Sequence, residues 1–243
     1  MNRFAYDIVG FDLDGTLLDT SGDLAAACNH ALTGIGRPAL PVADIRTMIG
    51  GGTGMMLRRA LEATGGSDEA LFNQLSPVLF DYYEAHIANL TRPFPGLIDA
   101  LDALAGMGVK LAVASNKIER LCTRLLNEIG MIERFECVLG GDSVGHGRGK
   151  PNPDLLHEMV RRCGGGRAAF IGDSEFDVGA AKAAGLPSVV VSFGFISVPA
   201  STLGADAVID HYDELLPTLA TLSPTPPPAS LSPAPAHAAA GAD

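Results

Sequence analysis

The fold is decided by one stretch near the start of the chain, Asp7-Ile-Val-Gly-Phe-Asp-Leu-Asp-Gly-Thr-Leu-Leu-Asp19. Residues 8–11 are a short apolar run of strand-forming residues, which predicts a buried strand. Asp12 and Asp14 follow at once, and they start on the same side of the chain because side chains alternate along an extended segment. Ligands of open α/β sheets bind at the carboxyl ends of the strands. The stretch therefore predicts a binding site that carries two carboxylates.

Two carboxylates in an apolar setting repel each other, which raises the pKa of one of them unless a cation neutralises the pair. Mg²⁺ suits this position because it binds one or two carboxylates together with phosphate oxygens. The chemistry predicted here makes Asp12 a nucleophile toward phosphorus, Asp14 a general acid/base, and Mg²⁺ the cofactor. The structural alternative is a plain turn after a strand, where Asp and Gly are common.

The same stretch resembles a known motif. DLDGT followed by LLDT is similar to the first motif of the haloacid dehalogenase superfamily, specifically of its phosphatase branch. The resemblance implies that Asp12 forms an aspartyl-phosphate and that Asp14 protonates the leaving group. The dehalogenases themselves have a different residue at the second position, so Asp14 favours phosphoryl transfer.

The composition of the chain disfavours several classes of binding partner. The chain has 243 residues, of which 47% are hydrophobic, and a net charge of −11. The acidic balance disfavours nucleic acid and anionic membrane surfaces, since both are bound through Lys and Arg. No apolar run approaches the ~18 residues of a transmembrane helix. The start of the chain lacks the pattern of a signal peptide, and the four cysteines form no CxxC pair. A cytoplasmic protein with free thiols is expected.

The order of periodic segments predicts an α/β fold with an insertion. Residues 18–90 show helical spacing and no convincing strand, which predicts an all-helical cap domain. Strands then alternate with helices, which predicts a doubly wound three-layer sandwich with a parallel sheet. The catalytic core is assigned to residues 1–17 and 91–221, and the Pro/Ala/Ser-rich tail at 222–243 is expected to be disordered. The predicted strands are 8–11, 110–114, 136–139, 169–171, 188–191 and 207–209.

Three later stretches place polar residues at predicted strand ends, and they resemble the remaining motifs of the same superfamily in order. In Val113-Ala-Ser-Asn-Lys117, Ser115 can donate to a phosphoryl oxygen and Asn116 is assigned to substrate binding, although Ser115 could be a plain helix cap. In Gly149-Lys-Pro-Asn-Pro-Asp154, Lys150 can pair with the nucleophile and the incoming phosphate. The alternative for Lys150 is a surface lysine.

The fourth stretch is Phe170-Ile-Gly-Asp-Ser-Glu-Phe-Asp177. Asp173 and Asp177 suit Mg²⁺ ligation, one directly and one through water. The predicted metal set is Asp12, the backbone carbonyl of Asp14, Asp173 and Asp177. Either Asp173 or Asp177 could instead cap the following helix, but capping does not explain both.

A finer resemblance concerns the substrate. LDTSGDLAAACNHAL, the Ile-Gly-Gly-Gly loop, Arg92-Pro-Phe-Pro-Gly and GADAVID are similar to bacterial phosphoglycolate phosphatases. The loop at 50–54 is expected to reach over the active site, with Gly50, Gly51, Gly52, Thr53 and Arg58 contacting a small anionic phosphoester. A flexible turn and solvated Arg58 and Arg59 are the alternatives. Other functions left open are a phosphatase for another small sugar phosphate (including N-acetylmuramic acid 6-phosphate), a sugar phosphomutase, or a non-catalytic binding module. Monomer and homodimer both remain possible.

Overall fold

A six-stranded parallel sheet forms the centre of the molecule. The computed structural model describes residues 4–196 and 198–223. Within these ranges the strand order is β5-β4-β1-β6-β7-β8, and every neighbouring pair is parallel. The strands are β1 (Ile8–Phe11), β4 (Lys110–Ala114), β5 (Cys137–Leu139), β6 (Ala168–Gly172), β7 (Ser188–Val191) and β8 (Ala207–Ile209). Because β1 lies between β4 and β6, polar residues that follow these three strands meet at one edge.

Helices cover both faces of this sheet. Along β1, Val9 and Phe11 belong to one buried apolar cluster and Ile8 to another, as alternation predicts. The first cluster includes side chains of α5 (Leu97–Gly106), α6 (Glu119–Glu128) and α9 (Leu215–Thr221), and the second includes those of α7 (Asp154–Arg162) and α8 (Glu175–Ala184). The predicted three-layer α/β sandwich is therefore confirmed.

Gly10 lets α7 pack closely against the centre of the sheet. A Cβ atom on Gly10 would lie 2.2 Å from the sulfur of Met159 on α7. Since real atoms do not approach so closely, a side chain at this position would force the end of the Met159 side chain to move. Gly10 thus makes room for Met159 two residues before Asp12.

Four helices follow β1 and precede α5 in the chain. They are α1 (Ser21–Gly34), α2 (Val42–Arg46), α3 (Thr53–Ala63) and α4 (Glu69–Ala85). We call residues 20–91 the helical segment. Two short strands, β2 (Leu18–Asp19) and β3 (Arg92–Pro93), pair antiparallel where the chain enters and leaves it. The expectation of no strand from residue 18 was therefore wrong at its first two residues.

The helical segment contains a proline inside a helix. α4 runs to Ala85 and continues through Pro77. Proline removes one helical hydrogen bond and leaves the carbonyl four residues earlier without its partner. That carbonyl belongs to Asn73, which is exposed, so water can replace the lost donor.

Three further expectations concern the cysteines, membrane-spanning helices and the C-terminal tail. All four cysteines are free; Cys28, Cys122 and Cys163 are buried, while Cys137 is half-buried. No helix in the described ranges is long and apolar enough to cross a membrane. The predicted disorder of the tail concerns residues that, from 224 onward, lie outside the described part of the chain.

Candidate active site

Asp12 and Asp14 lie at the carboxyl end of the central strand. The backbone N–H of Asp12 continues the ladder by donating to Ile171 O of β6 at 2.9 Å. Asp12 is 8% exposed, and Asp14 is somewhat more open at 15% of its side chain. Both residues line one pocket of about 240 Å³ between the sheet edge and the helical segment. The predicted placement of two carboxylates at a strand end is what the structure shows.

Lys150 lies between two of the carboxylates. Its ammonium Nζ is 2.6 Å from Asp177 Oδ1 and 2.8 Å from Asp12 Oδ1, and its side chain is almost fully buried. The contact with Asp12 is an ion pair without hydrogen-bond alignment, so Asp12 Oδ1 has no hydrogen-bond partner among the described residues. Burial alone would lower the pKa of Lys150, but Asp12 and Asp177 outweigh burial and raise it. Lys150 is therefore a fixed positive charge beside Asp12.

Asp173 and Asp177 are held by the backbone on the same side of the pocket. Phe195 N donates to Asp173 Oδ2 at 2.6 Å. Asp177 Oδ2 accepts from Ser174 N at 2.9 Å and from Ser174 Oγ at 2.6 Å, which forms a capping box at the start of α8. Asp177 therefore does cap its helix, while its other oxygen accepts from Lys150.

These carboxylates form a cluster that could hold a metal ion. Single oxygens of Asp12, Asp173 and Asp177 all lie within 4.8 Å of one another. Burial, aided by Asp177 and opposed by Lys150, raises the pKa of Asp12 to about 6. Burial also raises the pKa of Asp173 well above its usual value, with Asp177 and Asp12 adding to the shift. The positive charge of Lys150 therefore does not fully balance the carboxylates of this cluster. Buried carboxylate oxygens of this kind suit a hard divalent cation.

Ser115 and Asn116 follow β4, the neighbour of β1. Ser115 is 2% exposed, lines the pocket and receives only a long contact, 3.4 Å, from Lys117 N. The side chain of Asn116 is occupied by the backbone of Lys150: its Nδ2 donates to Lys150 O at 2.9 Å, and its Oδ1 accepts from Lys150 N at 2.8 Å. Asn116 therefore fixes Lys150, and its assignment to substrate binding stays a prediction.

Lys117 is a site residue that the sequence reasoning did not single out. Its Nζ donates to Asp14 Oδ2 at 2.5 Å, and its side chain is only 3% exposed. Burial would lower the pKa of Lys117, but Asp14 outweighs burial and raises it. The chain has only four lysines. This scarcity favours a role in the site for Lys150, and it favours such a role for Lys117 equally.

The glycine loop reaches the pocket as expected, but Arg58 does not. Residues 50–54 line the pocket, and α3 begins at Thr53 with Gly52 as its N-cap. The guanidinium of Arg58 forms two hydrogen bonds with Glu69, at 2.7 and 3.0 Å, and lies over the ring of Phe72. Arg58 is not among the residues that line the pocket, and its assignment to substrate binding stays a prediction. Arg59 is exposed and donates to Met48 O.

Comparisons with known proteins agree with this architecture. Residues 9–191 match the haloacid dehalogenase-like hydrolase family. A phosphoglycolate phosphatase of Caulobacter vibrioides is 39% identical over 90% of this chain and 94% of its own, and one of Mesorhizobium japonicum is 37% identical over 88% and 94%. A crystal structure from Haemophilus somnus, described as a predicted phosphoglycolate phosphatase, superposes with a TM-score of 0.81 at 29% identity, covering 90% of this chain and 99% of that one.

Proposed function

The chain belongs to the haloacid dehalogenase-like hydrolases and is a phosphoric monoester hydrolase; on this premise we propose that it hydrolyses a small anionic phosphoester, 2-phosphoglycolate first among candidates. One observation carries the proposal: a buried carboxylate, Asp12, lies beside a buried ammonium, Lys150, at the mouth of a small pocket. Such a pair offers a nucleophile and a counter-charge for a phosphoryl group.

Asp12 is proposed as the nucleophile that attacks phosphorus and forms an aspartyl-phosphate. Its Oδ1 is paired with the Lys150 ammonium at 2.8 Å, which holds the carboxylate in place beside the pocket. Lys150 and the hydroxyl of Ser115 would hold the phosphoryl oxygens, since both line the pocket beside Asp12. Asp14 would protonate the departing alkoxide and then accept a proton from the water that hydrolyses the aspartyl-phosphate.

The balance of charge favours Mg²⁺ as a cofactor. Four carboxylates, Asp12, Asp14, Asp173 and Asp177, face two ammonium groups, Lys117 and Lys150. With all six ionised, the cluster carries a charge of −2, which one divalent cation balances. Asp12, Asp173 and the backbone carbonyl of Asp14 would ligate the ion, and Asp177, whose oxygens are already hydrogen-bonded, would support it indirectly. When bound, Mg²⁺ would neutralise charge on the transferring phosphoryl group.

The helical segment is proposed to act as a cap that selects the substrate. In this proposal the cap is residues 18–90 and the core is residues 1–17 and 91–221. Residues of both the cap and the core line the pocket. The pocket is small, about 240 Å³, and its cap side carries backbone amides at the start of α3 together with apolar side chains such as Ile49, Met56 and Phe80. Amides at a helix N-terminus favour an anion, here a carboxylate. A nucleotide or a large sugar fits this space poorly.

A panel of phosphoesters tests the proposal. Phosphate release from 2-phosphoglycolate, glucose 6-phosphate and a nucleoside monophosphate is measured with Mg²⁺, and the expected kcat/KM is highest for 2-phosphoglycolate. Gly51→Val should lower that value, because Gly51 has a φ of +73° and an added Cβ would lie 2.9 Å from Met55 Sδ. Thr53→Ala tests the hydroxyl of the same loop.

Two results would contradict the assignment. One is a tenfold or greater preference for the sugar phosphate or the nucleotide. The other is an unchanged ranking and rate after both loop substitutions. Transfer of the phosphoryl group to a sugar, without steady release of inorganic phosphate, would indicate a phosphomutase.

A further inference from the structure

Lys117 is buried in a position that packing and stability do not explain. Its ammonium contacts Asp14 Oδ2 at 2.5 Å, where both side chains are largely removed from water. Taking two charges out of water costs free energy that their attraction often fails to repay, so a buried ion pair is weak evidence for stability. The pair lies on the pocket wall, since Asp14 and Lys117 both line it.

The second contact of Lys117 comes from the helical segment. The ammonium lies 4.7 Å from the centre of the Tyr83 ring, on α4. Tyr83 is fully buried, and its hydroxyl has no hydrogen-bond partner in the described part of the chain. Lys117 is thus held between Asp14 and an aromatic face.

We propose that Lys117 is a positioning residue for Asp14, acting with the Tyr83 ring to aim the Asp14 carboxyl at the leaving-group oxygen. This inference rests on the proposed hydrolase function. A charge fixed 2.5 Å from Oδ2 restricts rotation of the Asp14 carboxyl, whose side chain lines the pocket and is 15% exposed.

The test compares leaving groups by kcat/KM, which covers only the steps up to departure of the leaving group. Ethyl phosphate releases an alkoxide that needs a proton, whereas acetyl phosphate, of similar size, releases acetate that needs none. Lys117→Met keeps the length and removes the charge. With ethyl phosphate and 2-phosphoglycolate, we expect a loss on the order of 10- to 100-fold, part of the ~10²–10⁴-fold typical of general acid/base groups. Acetyl phosphate should be nearly unaffected.

The double variant Asp14→Asn/Lys117→Met checks that Lys117 acts through Asp14. Its kcat/KM for ethyl phosphate should equal that of Asp14→Asn alone, because residues that act as one unit are not additive. Lys182→Met, the same change at an exposed lysine of α8, is the matched control and should leave all three values unchanged.

Tyr83 provides a variant that leaves Lys117 in place. Tyr83→Leu removes the aromatic face and should reduce turnover of ethyl phosphate more than that of acetyl phosphate. This variant keeps the inference testable if Lys117→Met does not fold.

The outcomes separate cleanly. Equal losses on all three substrates would assign Lys117 a purely structural role and overturn the inference. A loss confined to 2-phosphoglycolate would make Lys117 a ligand of the substrate carboxylate, which also overturns it, as would additive effects in the double variant. A wild-type protein that hydrolyses neither of the two esters would instead contradict the proposed function itself.

Discussion

Asp23→Ala should destabilise the protein by about 2–4 kcal/mol while leaving the pocket intact. Asp23, in the first turn of α1, is 2% exposed, and its carboxylate accepts hydrogen bonds from the chain that leaves the helical segment. The donors are Leu90 N at 3.0 Å, and Thr91 N and Thr91 Oγ1 at 2.8 Å each. Leu90 is exposed, so water can satisfy its N–H. Thr91 N would stay unpaired and Thr91 Oγ1 would keep only a long contact to Ile87 O, at 3.4 Å. Each lost bond costs ~1–3 kcal/mol, and relief of the carboxylate's own burial offsets part of that cost.

Urea unfolding followed by circular dichroism measures the change. Thr91→Val provides the control, because it removes one of the donors that Asp23→Ala would strand. The double variant should therefore be more stable than the sum of the two single effects predicts. A free energy of unfolding within about 0.5 kcal/mol of wild type for Asp23→Ala, the range of an ordinary surface substitution, would refute the reasoning.

Three further predictions concern the carboxylate cluster. Asp12→Asn should abolish turnover with little effect on the fold, and retention of a tenth of wild-type activity would contradict covalent catalysis. Burial raises the pKa of Asp12 from 3.8 to about 6. Protonated Asp12 should therefore stabilise the folded protein by up to ~3 kcal/mol below pH ~4, and this stabilisation should be lost as the pH rises to ~6. Melting temperatures of metal-free protein across this range should show the loss, and Asp12→Asn should reduce it. A Cβ on Gly194 would lie 2.3 Å from Asp173 Cβ, so Gly194→Ala should weaken Mg²⁺ binding measured by calorimetry, whereas Gly34→Ala, with open space around it, should not.

Sequence patterns predicted the large sheet well because each strand is a self-contained apolar run. The observed bounds of β1, β4, β7 and β8 are those expected, and β5 and β6 differ by one residue at their ends. The two-residue strands β2 and β3 were not found. Their pairing joins residues far apart in the chain, and two residues show no periodicity, so only the tertiary structure brings them together.

The site was predictable where a motif fixes both the residue and its place at a strand end. Asp12, Asp14, Ser115, Lys150, Asp173 and Asp177 all converge on one edge of the sheet. Arg58 does not line the pocket because its orientation depends on Glu69, a residue of the next helix that local spacing does not reveal. Lys117 was overlooked for a similar reason, since its partners Asp14 and Tyr83 come from distant parts of the chain.

The helical segment contacts the site from two sides, and this links its position to the carboxylates. On one side Tyr83 of α4 lies over Lys117, which holds Asp14. On the other side Arg46 of α2 donates to Phe193 O at 2.7 Å, two residues before the Phe195 N–H that supports Asp173. A displacement of the helices would therefore disturb the partner of Asp14 and the loop behind Asp173 together. Packed contacts of this kind adopt discrete arrangements and do not deform continuously. In the arrangement seen here, the proposed acid Asp14 and the proposed metal ligand Asp173 are both in place.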